Sequence, residues 1–269
     1  MTKFIQLSDL HIRSKKTADE NIALNKIVKG ILKKHSNQPP IIILTGDIVQ
    51  DGKKSQYKCA VKLLKPLVDA GFKLLACPGN HDYGRRGNFY TEKAQHNFQK
   101  FILRDLLGHE EANNPTNIME TLYPHIYETS DAIFIGLDSV EALENSPLHC
   151  AAGKIGHEQL AILKDYLNAD TLDKARIVYF HHHPFYRVIG LQMTDAQEVL
   201  QVMEGKVDIL CFGHKHVPEI WQDIQKIKWI LASDKTTRLQ PSTQTYDYRC
   251  IEILNKNRFI ITKEHISSV

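Results

Sequence analysis

Six short apolar runs in this chain each stop at a residue whose side chain can ligate a metal, and no other feature limits the fold as much. The plainest case is Ile41-Ile42-Ile43-Leu44-Thr45-Gly46-Asp47. Four apolar residues suffice for a short buried strand, and Thr-Gly turns the chain. A carboxylate then arrives with no polar spacer before it. Placing it off the end of a core strand is costly unless a charge or a donor meets it. The other runs are Lys3–Leu7, Phe72–Cys77, Ile133–Leu137, Arg176–Phe180 and Val207–Phe212. They lead respectively into Asp9 and His11, Asn80 and His81, Asp138, the triplet His181-His182-His183, and His214 with His216.

Amphipathic helices separate these strands. Over Asn21–His35, Leu24, Ile27, Val28, Ile31 and Leu32 recur at helical spacing. Ser55–Ala70 carries Tyr57, Val61, Leu64 and Val68, with Pro66 expected to bend or end it. Further helices are expected over Gly156–Leu167 and Ala196–Met203. Strand and helix alternating in this way predict an α/β fold built from βαβ units, in which ligands collect at the carboxyl ends of the strands. Asp9, His11, Asp47, Asn80 and His81 should then share one sheet edge. Residues 84–124 are the least regular part, with a helical pattern over Tyr90–Leu107. They read equally as a cap over a substrate or as a plain surface insertion. Pro218–Ile266 reads as β structure, with strands over Trp229–Ala232, Tyr248–Leu254 and Arg258–His265. With no repeat, low-complexity tract or linker, residues 1–269 are expected to form a single domain.

Charge narrows the choice of partner. The net charge is +3 and the basic residues are scattered, which argues against nucleic acid and suits a small anionic substrate. The five cysteines are odd in number and show no CxxC spacing; Cys77 and Cys211 lie inside apolar runs. They are expected to be small core residues in a reducing compartment. No apolar run has the length of a membrane span, and the N-terminus enters a strand without a leader pattern, so a cytoplasmic protein is expected.

The strand-end residues amount to two carboxylates, one amide and several imidazoles. Borderline divalent ions (Mn, Fe, Co or Zn) take such a mixture of N and O ligands. In Asp9-x-His11 and His214-x-His216 an extended backbone would put both side chains on one side. The supply exceeds what one ion needs, and with Asp47 shared, two ions could sit about 3.5–4 Å apart with a nucleophilic hydroxide between them. A lone histidine at a strand end is usually structural. It is the joint occurrence that carries the metal reading. Asp138 is open as a helix cap or as a partner to a ligand.

The ordered set Asp9-Leu10-His11, Gly46-Asp47, Gly79-Asn80-His81-Asp82, His182 and Gly213-His214-Lys215-His216 resembles the calcineurin-like metallophosphoesterases. Leu137-Asp138-Ser139, the helix opened by Gly153–Leu160, and the short stretch from Asp47 to Asn80 make it most similar to the bacterial class III cyclic-nucleotide phosphodiesterase group. The resemblance implies a four-layer αββα sandwich. It also implies one metal on Asp9, His11, Asp47 and His216, and a second on Asp47, Asn80, His182 and His214. His182 is taken from the triplet because the family's histidine stands two residues before a proline or an equivalent turn, here Pro184. His183 would then point elsewhere, toward substrate. The catalytic residue implied is His81, oriented by Asp51, by Asp82 or by neither, with Asn80 and His81 meeting substrate. Apart from the resemblance, Arg85 and Arg86 follow the third motif closely and could reach a phosphate or a nucleobase, or lie on a solvated loop. The activity implied is hydrolysis of a small phosphodiester, such as a cyclic nucleotide, by a hydroxide bridging two divalent ions. Alternatives are a phosphomonoesterase, a nuclease and a non-catalytic metal-binding scaffold. Oligomeric state is open, a dimer included.

Overall fold

The computed structural model describes residues 1–109, 122–140, 151–169, 173–188 and 191–268. The apolar runs form two six-stranded sheets. In the first, β1 (Thr2–Leu7), β2 (Ile41–Thr45) and β3 (Leu74–Cys77) run parallel. On its far side β1 pairs antiparallel with β13 (Thr245–Asn255), which also carries β12 (Leu239–Gln240) and β14 (Arg258–Ser267). The second sheet has β7 (Ala132–Gly136), β8 (Ala175–Tyr179), β9 (Ile209–Phe212) and β11 (Ile227–Ala232) as parallel neighbours. Antiparallel β6 (His125–Glu128) and β10 (Glu219–Ile224) close its two edges.

Strand parity explains the layering. Ile177 and Tyr179 of β8 join the core that contains Phe4 and Leu7 of β1, whereas Val178 and Phe180 join the core of Leu163 and Val199. Alternate residues of one strand thus serve two cores. The Phe4 and Phe134 rings meet edge to face at 5.3 Å across the two sheets. The first core holds the apolar faces of α1 (Asp19–His35) and α2 (Lys54–Asp69). The second holds those of α5 (His157–Asn168) and α6 (Ala196–Met203). This is the four-layer αββα arrangement.

Several expectations shift. α2 runs through Pro66 to Asp69, because proline in the last turn costs only a bond near the helix end. β10 went unread, since most of its residues are exposed and lack an apolar period. After the single turn α3 (Asn80–Tyr83), β4 (Gly84–Arg85) and β5 (Phe89–Tyr90) form a hairpin in the 84–124 segment. α4 (Glu92–Phe98) follows and continues as a π-helical turn over Gln99–Arg104. Phe98 and Phe101 of this stretch pack against Tyr57 of α2, at 6.4 and 6.3 Å between ring centroids. The remainder of the expected cap, residues 110–121, lies outside the described residues, as does Cys150.

Candidate metal centre and active site

The ligand-type residues gather where the carboxyl ends of the two sheets meet. The parallel pairing of β1 with β2 continues past both strands. The Asp9 N–H donates to the Gly46 carbonyl at 3.1 Å, and the His11 N–H to that of Asp47 at 2.9 Å. The extended backbone expected for Asp9 and His11 is not found. Asp9, His11, Asp47, His214 and His216 all have left-handed backbones, with φ of 53°, 49°, 53°, 76° and 55°. Such conformations cost about 1–3 kcal/mol each for residues other than glycine, and they cluster at functional sites. Two glycines let the sheets close on one another. A Cβ at Gly46, where φ is +83°, would meet the His181 ring at 2.5 Å, and one at Gly213 would meet Asp9 Oδ2 at 2.5 Å.

Asp9, His11, Asp47 and His216 bring one ligand atom each to within 4.8 Å of one another, a group able to hold a metal ion. His11 Nε2 stands 3.0 Å from His216 Nε2 and 3.7 Å from Asp47 Oδ2. Asp9 Oδ2 accepts from the Ser8 hydroxyl at 2.6 Å and the His214 N–H at 3.2 Å. Its other oxygen, Oδ1, faces His216 Nε2 at 3.1 Å without the alignment of a hydrogen bond. A buried carboxylate oxygen with no aligned donor among the described residues, facing imidazole nitrogens, fits a divalent cation better than a hydrogen-bond network.

On the other side of Asp47 the same oxygen, Oδ2, lies 3.4 Å from His181 Nε2. Asn80 Oδ1 is 3.0 Å from His181 Nε2 and 3.2 Å from His214 Nδ1. The Asn80 amide is turned this way because its Nδ2 donates to the Gly87 carbonyl at 2.9 Å. Asp47 Oδ1 is taken by the His81 N–H at 2.8 Å, which leaves Oδ2 between the two groups.

The structure puts His181, not His182, in this second group. Parity decides it: His181 continues the row of Ile177 and Tyr179, which faces the first sheet. His182 is one residue out of phase; its Nδ1 lies 2.9 Å from the Ser139 hydroxyl. His183 turns toward β9 and β10. It packs edge to face on Phe212 at 4.7 Å and near Trp221 at 5.9 Å.

His81 stands beside the cluster, its ring edge-on to His11 at 4.7 Å. Neither Asp51 nor Asp82 orients it. Its Nδ1–H donates to the Gln50 backbone carbonyl at 2.8 Å. Asp82 instead ties the loop after β2 to the loop after β3, accepting from the N–H groups of Ile48, Val49 and Gly79 at 3.2, 3.0 and 2.9 Å. Asp138 accepts from the Tyr83 hydroxyl at 3.0 Å and from the Val140 N–H at 2.8 Å. Arg85 is exposed on the β4–β5 hairpin and makes no ion pair among the described residues.

The electrostatics are divided between the sheets. Burial pushes the Asp9 carboxyl up, but the His216 imidazole outweighs it and brings the pKa down to about 2. Burial likewise works against the Asp47 carboxylate, and His181 and His81 hold its pKa well below the usual range. Burial would also lower His181, yet Asp47 and Asp9 raise it to about 9. For His11 and His214 burial wins, with values of about 4 and about 3. His11 and His214 are therefore neutral, ligand-ready imidazoles at physiological pH.

The sequence could have shown His181 through strand parity, but the carbonyl of Gln50 and the orienting bond from Gly87 leave no signal in residue type.

The chain is similar to known proteins in sequence and in fold. The model of the calcineurin-like phosphoesterase family matches residues 2–218. A probable glycerophosphodiester phosphodiesterase of Arcobacter nitrofigilis is 29% identical over 77% of this chain and 65% of its own length. A probable cyclic nucleotide phosphodiesterase of Vesicomyosocius okutanii is 33% identical over 37% of this chain and 40% of its own. The chain thus spans less than two thirds of either relative. Among solved structures, a dimetal phosphatase from Danio rerio superposes with a TM-score of 0.68 at 14% identity, covering 100% of this chain and 99% of that one. A purple acid phosphatase from yellow lupin gives 0.63 at 13% identity, covering 99% and 52%. At such identities the likeness is one of fold. Together with the family match over most of its length, it shows that the chain belongs to the calcineurin-like phosphoesterase family.

Proposed function

We propose that the protein is a metal-dependent hydrolase of a small phosphodiester. The observation that carries this reading is the position of Asp47 Oδ2, 3.7 Å from His11 Nε2 on one side and 3.4 Å from His181 Nε2 on the other. One ion would be held by Asp9, His11, Asp47 and His216, and a second by Asp47, Asn80, His181 and His214. Bound divalent ions supply positive charge to the phosphoryl oxygens and acidify water for in-line attack. His81 is assigned as the proton donor to the leaving alcohol. With Nδ1–H committed to the Gln50 carbonyl, Nε2 is the nitrogen available for that transfer. Asn80, fixed by Gly87, would hold the ester's non-bridging oxygen as well as an ion.

Diesters are preferred over monoesters because both relatives above are named phosphodiesterases. A cyclic nucleotide is one candidate within that class. Residues 1–269 are read as one such domain. No helix of the described residues is long and apolar enough to cross a membrane. Cys59, Cys77, Cys211 and Cys250 are free thiols, which suits the reducing cytoplasm. Manganese, iron, zinc and cobalt all match the donors.

The reading is tested by hydrolysis of bis(p-nitrophenyl) phosphate beside p-nitrophenyl phosphate with added Mn²⁺, with His81→Ala as the blank. A diester preference that disappears in the variant is the expected result. A preference for the monoester turns the assignment to a phosphatase, and no turnover of either by Mn-loaded protein points to a scaffold.

A further inference from the structure

The start of α2, the β4–β5 hairpin and α4 line an open cavity of about 810 Å³. Lys53, Lys54, Lys58, Arg85 and Lys93 line it, against a single carboxylate, Asp51. That carboxylate is already engaged. It accepts from Gln56 Nε2 at 3.2 Å and from the Arg86 N–H at 3.3 Å, and it pairs with Lys53 Nζ at 3.4 Å. Among the described residues no carboxylate pairs with Lys54, Lys58, Arg85 or Lys93. Cations gathered round a concavity without counter-charges repel one another, and an anion entering it removes that repulsion. A second group of lysines, beside β14, is compensated only in part. There Lys34 pairs with Glu264 at 3.1 Å, and Lys26 donates to the Ser268 carbonyl.

The floor of the cavity is firm. Asn97 Nδ2 of α4 donates to the Gly52 carbonyl at 2.9 Å, and a Cβ at Gly52 would stand 2.7 Å from the Asp82 carbonyl. The cavity is also joined to the catalytic residues through the chain. Asp51 and Gly52 directly follow Gln50, whose carbonyl holds His81. Arg85 belongs to the hairpin whose next turn supplies the Gly87 carbonyl to Asn80.

We propose that this cavity is a second anion subsite, which receives a further phosphate group carried by the ester whose scissile phosphate meets the metal centre. The proposal rests on the phosphodiesterase reading and narrows it. The substrate class becomes a diester with an additional phosphate on one of its alcohols, such as a nucleotide phosphorylated at a second position. A neutral or cationic alcohol gains nothing from these lysines.

Calorimetry on the Mn-loaded protein, with thymidine 3′,5′-bisphosphate beside thymidine 5′-phosphate, tests this. The bisphosphate should bind about tenfold tighter or better, the scale of added charge-assisted hydrogen bonds. That advantage should vanish in the triple variant Lys54→Gln, Lys58→Gln, Lys93→Gln. It should persist in the charge-matched variant Lys26→Gln, Lys29→Gln, Lys33→Gln, with both variants showing the thermal unfolding of the parent. Equal affinities in the parent, an advantage that survives the first variant, or one lost in both variants would each overturn the subsite. Because binding needs no turnover, failure of diester hydrolysis would remove the phosphodiesterase reading and still leave this comparison decisive.

Discussion

The two sheets contribute unlike chemistry to the place where they meet. The carboxyl edge of the first supplies both carboxylates, Asp9 and Asp47, together with Asn80, His11 and His81. The edge of the second supplies three imidazoles to the seam, His181, His214 and His216. Neither edge is complete by itself. The first would bury two negative charges and the second would bury imidazoles with few acceptors, and both arrangements are costly. Across the seam each answers the other: His181 helps hold the Asp47 carboxylate ionised, and Asp47 lifts the His181 imidazole to about 9. The opposite ends of the same sheets are also linked, but by ordinary polar clamps: Lys228 Nζ of β11 donates to the Lys256 carbonyl at 2.9 Å, and another clamp lies at the start of β1. There Asp131 accepts from the Thr2 N–H at 2.8 Å and pairs with the N-terminal ammonium at 3.2 Å.

This contrast sets an order of expected effects. The largest belongs to Asp47, whose one oxygen serves both groups. Asp47→Asn should lower diester turnover by about a thousandfold or more and weaken both metal sites, as steady-state kinetics and metal content would record. Full turnover with normal metal content would break the idea of a shared ligand. Next comes His81, which belongs to the first edge but to neither ligand group. His81→Ala should keep its metal and lose roughly 10²–10⁴-fold in turnover, the range of a general acid. A loss of metal alongside activity would move His81 into the ligand set.

The smallest effect belongs to the far clamp. Burial raises the Asp131 carboxyl, but Thr2 and the N-terminus outweigh it and bring the pKa to about 2, below its ordinary 3.8. A depressed carboxyl stabilises the fold above its unfolded pKa, and the contribution fades as pH falls from about 4 through 2. With solvent screening it is worth about 0.5 kcal/mol at neutral pH. Asp131→Asn should therefore lower stability slightly at pH 7, leave it unchanged near pH 2, and leave turnover intact. Denaturant titrations at the two pH values would show this. A loss of turnover in this variant would mean that the two ends of the sheets are coupled.

The first edge was legible because each of its candidate ligands stands at a motif position directly after an apolar run. Asp9, His11, Asp47 and Asn80 could be read directly, and the structure gathers them. The second edge was harder. Three histidines follow β8, and counting back from Pro184 selects His182, whereas the row of Ile177, Tyr179 and His181 is what faces the first sheet. A strand's face is set by phase relative to the core, and distance to a turn does not carry that phase. The orientation of His81 escaped for another reason. Its partner is a backbone carbonyl, and side-chain identity says nothing about where a carbonyl points. The αββα layering was expected from the family resemblance alone, while β10 carried too little apolar pattern to be read.

The central claim is that the seam between the sheets, with His181 as its ligand from β8, builds the second ion site. The most direct test is to count manganese ions per chain in His181→Ala and His182→Ala beside the parent protein, by elemental analysis after equilibration and desalting. The account predicts that His181→Ala loses about one ion, since an ion stripped of one of four ligands binds far more weakly, and that His182→Ala keeps the parent's content. The reverse pattern, with the ion retained without His181 and lost without His182, would contradict it.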